Sequence, residues 1–308
     1  MISVIMRTHN SQTFLVEAIE SVLAQTYPDW ELVISDDAST DRTLDIAELY
    51  ASKHGRIKLL TGQHLGPAEN GNRCLKAASA PWVAVLDSDD VALPDRLERT
   101  LEAATANPDV VLWGGRAILI DSRNRRMRRA SVGPKSQEEY ERFIYDGKVI
   151  FVMSPTVMFR RDLALELGGY DDAMDGAEDV ELMTRLAERG PVIEIDHDLA
   201  LYRIHGKSIS STRFHKQQRM FDFLDLRTKL RLGGGDLTMP QYLEMLDHQP
   251  RDVKLSSWVR NMGRQQYRNT IVNMAERRYV RAAGSGLMAM VLDPAHAYHR
   301  LRKRVVRS

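Results

Sequence analysis

Trp82-Val83-Ala84-Val85-Leu86-Asp87-Ser88-Asp89-Asp90 passes within nine residues from an unbroken apolar run to a cluster of three carboxylates. The apolar part reads as a strand buried on both faces, as in a parallel sheet. Upstream of it, short apolar runs alternate with helical patterns. Ile2–Met6, Glu31–Ser35 and Ile57–Leu60 read as strands. Between them, Phe14, Ala18 and Val22, with Leu15, Ile19 and Leu23, form one helical face; Thr43–Tyr50 and Asn72–Ala78 also read as helices. Downstream, Pro94 opens a further helix from its first position. This β-α-β-α order predicts an α/β fold: a Rossmann-like, mostly parallel sheet with helices on both faces.

Ligands of such sheets bind beyond the carboxyl ends of the strands. The first strand ends in Arg7-Thr8-His9-Asn10, the second in Asp36-Asp37-Ala38-Ser39-Thr40-Asp41, and the fourth in Asp87-Ser88-Asp89-Asp90. A carboxylate at a strand end is often only a helix cap, and Asp41 fits that role before Thr43. Two acidic clusters at one edge repel each other, so they imply a site completed by a cation.

After residue 110 the rhythm changes. Val110–Ile120 reads as one or two strands broken at Gly114-Gly115. Arg123, Arg125, Arg126, Arg128 and Arg129 read as a solvated loop. Val152–Phe159 is a strand candidate, Gly168-Gly169-Tyr170-Asp171 a turn, and Glu178-Asp179 the start of a helix carrying Val180, Met183 and Leu186. Leu199–Ile204 is strand-like and ends at His205-Gly206. From Phe214 the pattern is helical, interrupted at Gly233-Gly234-Gly235. A boundary is therefore expected near residue 213, giving a catalytic domain over 1–212 and a helical C-terminal region over 213–308.

The chain has 308 residues, 43% hydrophobic and 28% charged, enough for one large folded domain plus a small appendage. Cys74 is the single cysteine, expected to be a packing residue. No internal disulfide can form, which is compatible with a reducing compartment. Met1–Met6 has no basic lead-in and no cleavage pattern, so no signal peptide is expected. No apolar run approaches the roughly 18 residues of a membrane-spanning helix. From Arg251 onward there are 13 Lys+Arg against 3 Asp+Glu, while the first 250 residues carry nine excess negative charges. An acidic body argues against nucleic acid as the partner.

Four stretches together resemble a known family: Ser3-Val4-Ile5-Met6-Arg7-Thr8-His9-Asn10, Ser21-Val22-Leu23-Ala24-Gln25-Thr26-Tyr27, Asp36–Asp41, and Leu86–Asp90. Asn72, Gly168-Gly169-Tyr170-Asp171, Glu178-Asp179 and Tyr202-Arg203-Ile204-His205 extend the match. The pattern is similar to the family-2 inverting glycosyltransferases of GT-A fold, over roughly residues 1–212. The resemblance implies transfer of a sugar from a nucleoside diphosphate donor, UDP-sugar favoured, to an acceptor hydroxyl in polysaccharide or glycolipid assembly. Such a transfer needs a divalent cation for the leaving diphosphate, an anchor for the nucleotide and a base for the acceptor.

Carried over by position, Asp89 is the principal ligand of Mn²⁺ or Mg²⁺. Asp87 faces the ribose or the metal's outer shell, and His205 approaches the metal or diphosphate. Thr8 and Asp37 contact the base, while Asn10 and Asn72 belong to the nucleotide cleft. Asp179 is the general base, and Glu178 shapes the sugar or acceptor pocket. Taken without the resemblance, Thr8, Asn10, Glu178 and Asp179 read equally as helix caps. Three positions depart from the family. Arg7 replaces a proline, and Ala38 and Ala80 replace glycines; alanine at 38 argues against a positive φ there.

A sugar-1-phosphate nucleotidyltransferase would need a glycine-rich first loop, and a dinucleotide oxidoreductase a G-x-G-x-x-G; neither is present. An inactive nucleotide-sugar-binding or membrane-associated scaffold is the non-enzymatic alternative, against which Asp89 and Asp179 together argue. The tail, His299-Arg300-Leu301-Arg302-Lys303-Arg304-Val305-Val306-Arg307, has five Lys+Arg and no acid. It admits two readings: an amphipathic helix on an anionic membrane at the cytoplasmic face, beside a lipid-linked acceptor, or a solvated helix answering the acidic body.

Overall fold

The computed structural model of the chain describes residues 1–206 and 213–298; the basic tail His299–Arg307 lies outside the described residues. The chain resolves into two compact units. The first comprises Met1–Leu119 and Arg126–Arg203, the second Ile120–Arg125 and Ile204–Ser308.

The first unit begins with β1 (Ile2–Thr8), α1 (Leu15–Leu23), β2 (Trp30–Asp36), α2 (Thr43–Lys53), β3 (Ile57–Leu60), α3 (Pro67–Ala77) and β4 (Trp82–Val85). β1 lies between β2 and β4, and β2 pairs with β3, all in parallel. The alternation of side chains along these strands feeds two separate cores. Ile5, Val33, Val83 and Val85 pack into one; Val4, Met6, Leu32, Ile34, Ala84 and Leu86 pack into the other. Both faces are thus buried, and the carboxyl ends of β1, β2 and β4 come out on one edge. Cys74 is fully buried against this sheet.

After β4 the chain departs from the simple alternation through β5 (Val91–Ala92), α4 (Arg96–Ala106), β6 (Leu112–Asp121), β7 (Arg126–Ala130), α5 (Gln137–Tyr145), β8 (Met158–Arg160), α6 (Arg161–Glu166), α7 (Glu178–Ala187) and β9 (Val192–Ile204). The sheet order is β3-β2-β1-β4-β8-β6-β9-β5, with β7 on β6. β8 runs antiparallel to both β4 and β6, and β5 antiparallel to β9. A parallel half therefore continues into an antiparallel half at β4. In the second unit follow α8 (Phe214–Leu232), α9 (Met239–His248), α10 (Arg251–Ala275) and α11 (Tyr279–Leu292).

Several local expectations are corrected. Pro94 does not open its helix: α4 starts at Arg96 after the cap residue Asp95. The Pro94 carbonyl instead accepts the Thr26 N–H at 2.9 Å, and the Leu93 N–H reaches the Leu199 carbonyl, which holds this stretch in the strand connection. Arg126, Arg128 and Arg129 lie in a strand, not a loop. Its side chains are largely exposed, so an edge strand has here the composition of a solvated turn. β8 is shorter than the strand candidate Val152–Phe159, because Ser154–Thr156 forms a 3₁₀ turn before it.

Gly114-Gly115 does not break β6, which runs through both residues. The glycines serve close approach instead. A Cβ on Gly114 would stand 2.7 Å from Val152 Cγ1, and one on Gly115 2.5 Å from Leu199 Cδ1 and 3.0 Å from the His197 carbonyl oxygen. Gly115→Ala is therefore expected to lower stability by about 1–3 kcal/mol, the usual cost of overpacking. Urea unfolding followed by tryptophan fluorescence checks this; a variant with an unchanged midpoint would show that β6 and β9 can separate without penalty.

Candidate active site

The strand ends bring their polar residues together at one edge, and the local bonding decides what each can do. Arg7, near the end of β1, is 14% exposed in its side chain. Its Nη1 donates to Glu178 Oε1 at 2.8 Å and its Nη2 to Asp87 Oδ1 at 3.3 Å. One guanidinium therefore joins the loop after β4 to the first turn of α7. Burial works against the Arg7 charge, but Glu178 and Asp87 outweigh it and raise its pKa. The same guanidinium sits 5.5 Å from the Tyr170 ring centre.

Asp179 follows Glu178 at the start of α7. Its Oδ1 accepts the Val180 N–H at 2.8 Å. It also lines a small cavity whose other walls include Val85, Phe159, Tyr170, Leu182 and Leu186. Burial first, and then the Glu178 carboxylate, push Asp179 up to about 7. Glu178 itself is held in place: its Oε2 accepts the Gly176 N–H at 2.8 Å while Oε1 takes Arg7.

Beyond β4, Asp87, Asp89 and Asp90 crowd four residues. Burial raises Asp87; Arg7 opposes this and Asp89 adds to it. Asp90 is raised well above the usual carboxylate range by burial, then by Asp89 and Asp87. Asp90 Oδ2 is buried with no hydrogen-bond partner among the described residues. A hard oxygen donor set under mutual repulsion, with an orphaned buried oxygen, fits a divalent cation. Arg203 props this loop from β9. Its backbone N–H donates to Asp90 Oδ1 and its Nε to the Asp89 carbonyl, both at 2.7 Å, while its Nη2 pairs with Glu17 at 2.7 Å. Arg96, also fully buried, donates to the carbonyls of Val85 and Val157 and holds the end of β4.

The end of β2 forms a second network. Asp36 accepts the Thr8 hydroxyl at 3.1 Å and both the Ser39 N–H and hydroxyl. Thr8 is thus turned inward and buried. Asp37 accepts the N–H groups of Leu65 at 2.6 Å and Gly66 at 3.0 Å, and pairs with His64 Nδ1 at 2.8 Å. Asn10 Oδ1 accepts the Thr40 N–H at 2.9 Å, joining the two loops. Ala38, expected to avoid positive φ, has φ +56°, and Asn10 has φ +52°. The bonding on either side, through Asp36, Asp37 and Ser39, holds Ala38 in that conformation despite its Cβ. Asn72 uses both ends of its amide on one residue: Nδ2 donates to the Tyr170 carbonyl at 2.9 Å, and Oδ1 accepts the Tyr170 N–H at 2.8 Å. Gly169 makes this clamp possible, since its φ is +74° and a Cβ there would lie 2.2 Å from Asn72 Oδ1.

Metal-ligating types converge elsewhere as well. Among the described residues, His9, Asp37 and His64 form the group of three whose ligand atoms lie within 4.8 Å of one another. His205 stands at the start of the second unit.

The profile of glycosyl transferase family 2 matches residues 3–168. The chain belongs to that family. A glucosyltransferase of Escherichia coli, WfgD, described as UDP-Glc:α-D-GlcNAc-diphosphoundecaprenol β-1,3-glucosyltransferase, is 30% identical over 228 residues, covering 73% of this chain and 85% of WfgD. EpsE of Bacillus subtilis is 46% identical over 102 residues, which span 32% of this chain and 36% of EpsE. A glycosyltransferase of Nostoc sp. is 33% identical over 67% of this chain and 65% of its own length. The fold is GT-A. PcManGT, a mannosyltransferase from Pyrobaculum calidifontis solved with GDP-Man and Mn²⁺, superposes with a TM-score of 0.56 at 18% identity over 99% of this chain and 79% of its own. TarS of S. aureus, solved with UDP-GlcNAc, gives 0.56 at 17% identity over 97% of this chain and 91% of its own.

Sequence reading assigned no role to Arg203 or Arg96 and left the role of Arg7 open. Arg203 lies in the quoted Tyr202–His205 stretch, but nothing in a strand's composition shows that an arginine will be swallowed whole. Arg7 carries a checkable consequence. Arg7→Met leaves Glu178 and Asp87 without their shared cation, and breaking a buried pair typically costs about 3 kcal/mol. Chemical denaturation should show a loss of that order, partly recovered in Arg7→Lys. Equal stability of Met and wild type would mean that the two carboxylates find other partners.

Proposed function

We propose that this family-2 glycosyltransferase moves a sugar from a nucleoside diphosphate donor, a UDP-sugar, to the hydroxyl of a glycan or lipid-linked acceptor by a single inverting displacement. The observation that carries this reading is the bridge from Arg7 to Glu178 and Asp87. It ties the first turn of α7, which carries the candidate base Asp179, and the Asp87–Asp90 loop to one buried cation. In-line displacement needs its base and its leaving-group site held in one fixed frame, and this bridge supports that reading.

Asp89, with Asp87 beside it, supplies hard oxygens for Mn²⁺ or Mg²⁺, and the cation supplies charge neutralisation for the departing diphosphate. Asp179 takes the acceptor proton: its desolvated carboxylate is a stronger base than an exposed one, and its elevated pKa lies near neutral pH. Glu178, fixed by Arg7 and Gly176, walls the sugar pocket. Asp37 reads the base. Its carboxylate offers about four acceptor sites, of which Leu65, Gly66 and His64 engage three. Thr8 and Asn72 serve by positioning: Thr8 secures Asp36, and Asn72 secures the Gly169-Tyr170 turn under Arg7. Asn10 ties the β1 loop to Thr40. The lipid-linked acceptor is proposed from WfgD, whose name specifies a diphosphoundecaprenol-bound acceptor. Action at a membrane surface, taken here as the cytoplasmic face, is proposed together with that acceptor class.

Asp179→Asn should lose about 10²–10⁴-fold in turnover while UDP-sugar still stabilises the protein in Mn²⁺. A base works when deprotonated, so wild-type kcat/KM should rise as pH climbs through about 7 and level off above it, and the variant should lack this rise. Proton NMR of the product should show the anomeric centre inverted. Retained configuration would overturn the mechanism.

Asp89→Ala should abolish Mn²⁺-dependent donor binding and leave the circular dichroism spectrum unchanged. Turnover equal to wild type in that variant would move the metal away from the Asp87–Asp90 loop, and the His9, Asp37 and His64 group would then be the next to vary.

A further inference from the structure

Helix α11 is built inside out. Its sequence, Tyr-Val-Arg-Ala-Ala-Gly-Ser-Gly-Leu-Met-Ala-Met-Val-Leu, contains one charged residue, Arg281. The residues it buries are the small ones, Ala282, Ser285 and Ala289. They pack on α10, where Ser285 meets the Thr270 hydroxyl at 3.2 Å and a Cβ on Gly286 would lie 3.6 Å from Thr270 Cγ2. The large apolar residues face away from α10: Val280 is 89% exposed, Val291 69% and Leu287 61%. Spaced seven and four apart, these three fall on one stripe of the helix, with Met288 and Met290 flanking it. An ordinary surface helix shows the reverse arrangement. A contiguous apolar stripe of this size on a folded domain marks a contact surface.

We propose that this stripe is an interfacial membrane contact, taking the acyl–headgroup boundary of an anionic bilayer. Three observations choose that occupant. At 14 residues α11 is too short to span a bilayer, and no described helix is long and apolar enough to do so. A helix lying in the interface needs only its outward stripe to be apolar. The surrounding charge is predominantly basic: Arg277, Arg278 and Arg281 stand at the start of the helix, with Arg278 paired to Glu276 at 2.8 Å, Asp293 is buried at its end, and the sequence after residue 298 adds five Lys+Arg and no acid. Basic residues beside an apolar stripe complement anionic headgroups. A second copy of this chain would instead bring a second stretch with 13 Lys+Arg against 3 Asp+Glu, not the negative charge that these cations complement. The inference deepens the proposed function, because a diphosphate-lipid acceptor is presented at such a surface. It does not depend on that function, and the two can fail separately.

The test is co-sedimentation of the full chain with phosphatidylglycerol vesicles and with phosphatidylcholine vesicles. Wild type should pellet with the anionic vesicles, and more weakly at high salt. The double variant Leu287→Glu/Val291→Glu should partition at least about tenfold less, since it places charge where two side chains would be buried in the bilayer. Val280→Glu, at the most exposed position, gives an independent check should the double variant fold poorly. Thermal stabilisation by UDP-sugar with Mn²⁺, measured on the same samples, should be equal in all of them. Wild type left in the supernatant with both lipids, or variants that pellet like wild type, would overturn the proposal. A wild-type dimer that the double variant dissolves, seen by sedimentation velocity, would overturn it in favour of a second copy. Vesicle binding without any stabilisation by nucleotide sugar would leave the membrane face standing and count against the proposed function alone.

Discussion

Carboxylates gathered at one edge of a sheet repel each other, and the arrangement of the first unit follows from how that repulsion is managed. Asp87, Asp89, Asp90, Glu178 and Asp179 come from two segments nearly a hundred residues apart in sequence. Arg7 answers Glu178 and Asp87 together, through two different nitrogens of one planar group. A planar fork can do this where a single ammonium would have to choose. Arg7 makes no hydrogen bond to Asp179 or Asp90, and burial, with the neighbouring carboxylates, pushes both up against the opposing pull of Arg7 and Arg203. Had every acid at this edge an arginine of its own, Asp179 would not be pushed up to about 7 and Asp90 would not keep an orphaned buried oxygen.

The loops around this edge are held by side chains bonded to backbone, more than by secondary structure. Asp37, Asn72 and Arg203 each bind backbone groups of a segment distant in sequence, and Asp36 takes the Ser39 N–H three residues on. Such bonds satisfy buried N–H and C=O groups that helices and strands leave open at their ends. They also explain how Ala38 keeps a positive φ. The cost of that conformation, about 1–2 kcal/mol for a residue with a Cβ, is offset by the bonds that fix its neighbours. Local propensity argued for the other conformation and was overruled by contacts that a sequence window cannot contain.

The parallel half of the fold was legible because β1, β2 and β4 are buried on both faces, so their apolar runs could be read directly, and the edge strand β3 still carries Ile57, Leu59 and Leu60 between two helices. The antiparallel half was not. β7 is an edge strand made mostly of arginine, and β6 runs through two glycines whose function is to admit Val152 and Leu199. Neither pattern has a local signature, since both are set by partners far along the chain. The candidate site divides the same way. The positions of Asp37, Asp87, Asp89 and Asp179 at strand or helix ends could be read in order, while the use of Asn72 as a clamp and of Arg203 as a prop depended on what lies opposite them. Two long basic side chains buried almost completely, Arg96 and Arg203, are the least readable feature, because composition makes arginine a surface residue by default.

The two units distribute charge and apolar surface in opposite ways. The acidic residues of the chain concentrate in the first 250 positions, where those at the sheet edge suit a cation. The basic excess concentrates after Arg251, in the same stretch as the helix whose large apolar residues point outward. Had that basic stretch served only to neutralise the acidic body, α11 would gain nothing from placing Val280, Leu287 and Val291 in water, and small residues would have sufficed on both of its faces. Hydrophobic burial on α10 needed only Ala282, Ser285 and Ala289. The outward valines and leucine therefore answer a requirement other than folding of the hairpin, and cations beside them narrow that requirement to a surface that is apolar within and negative at its rim.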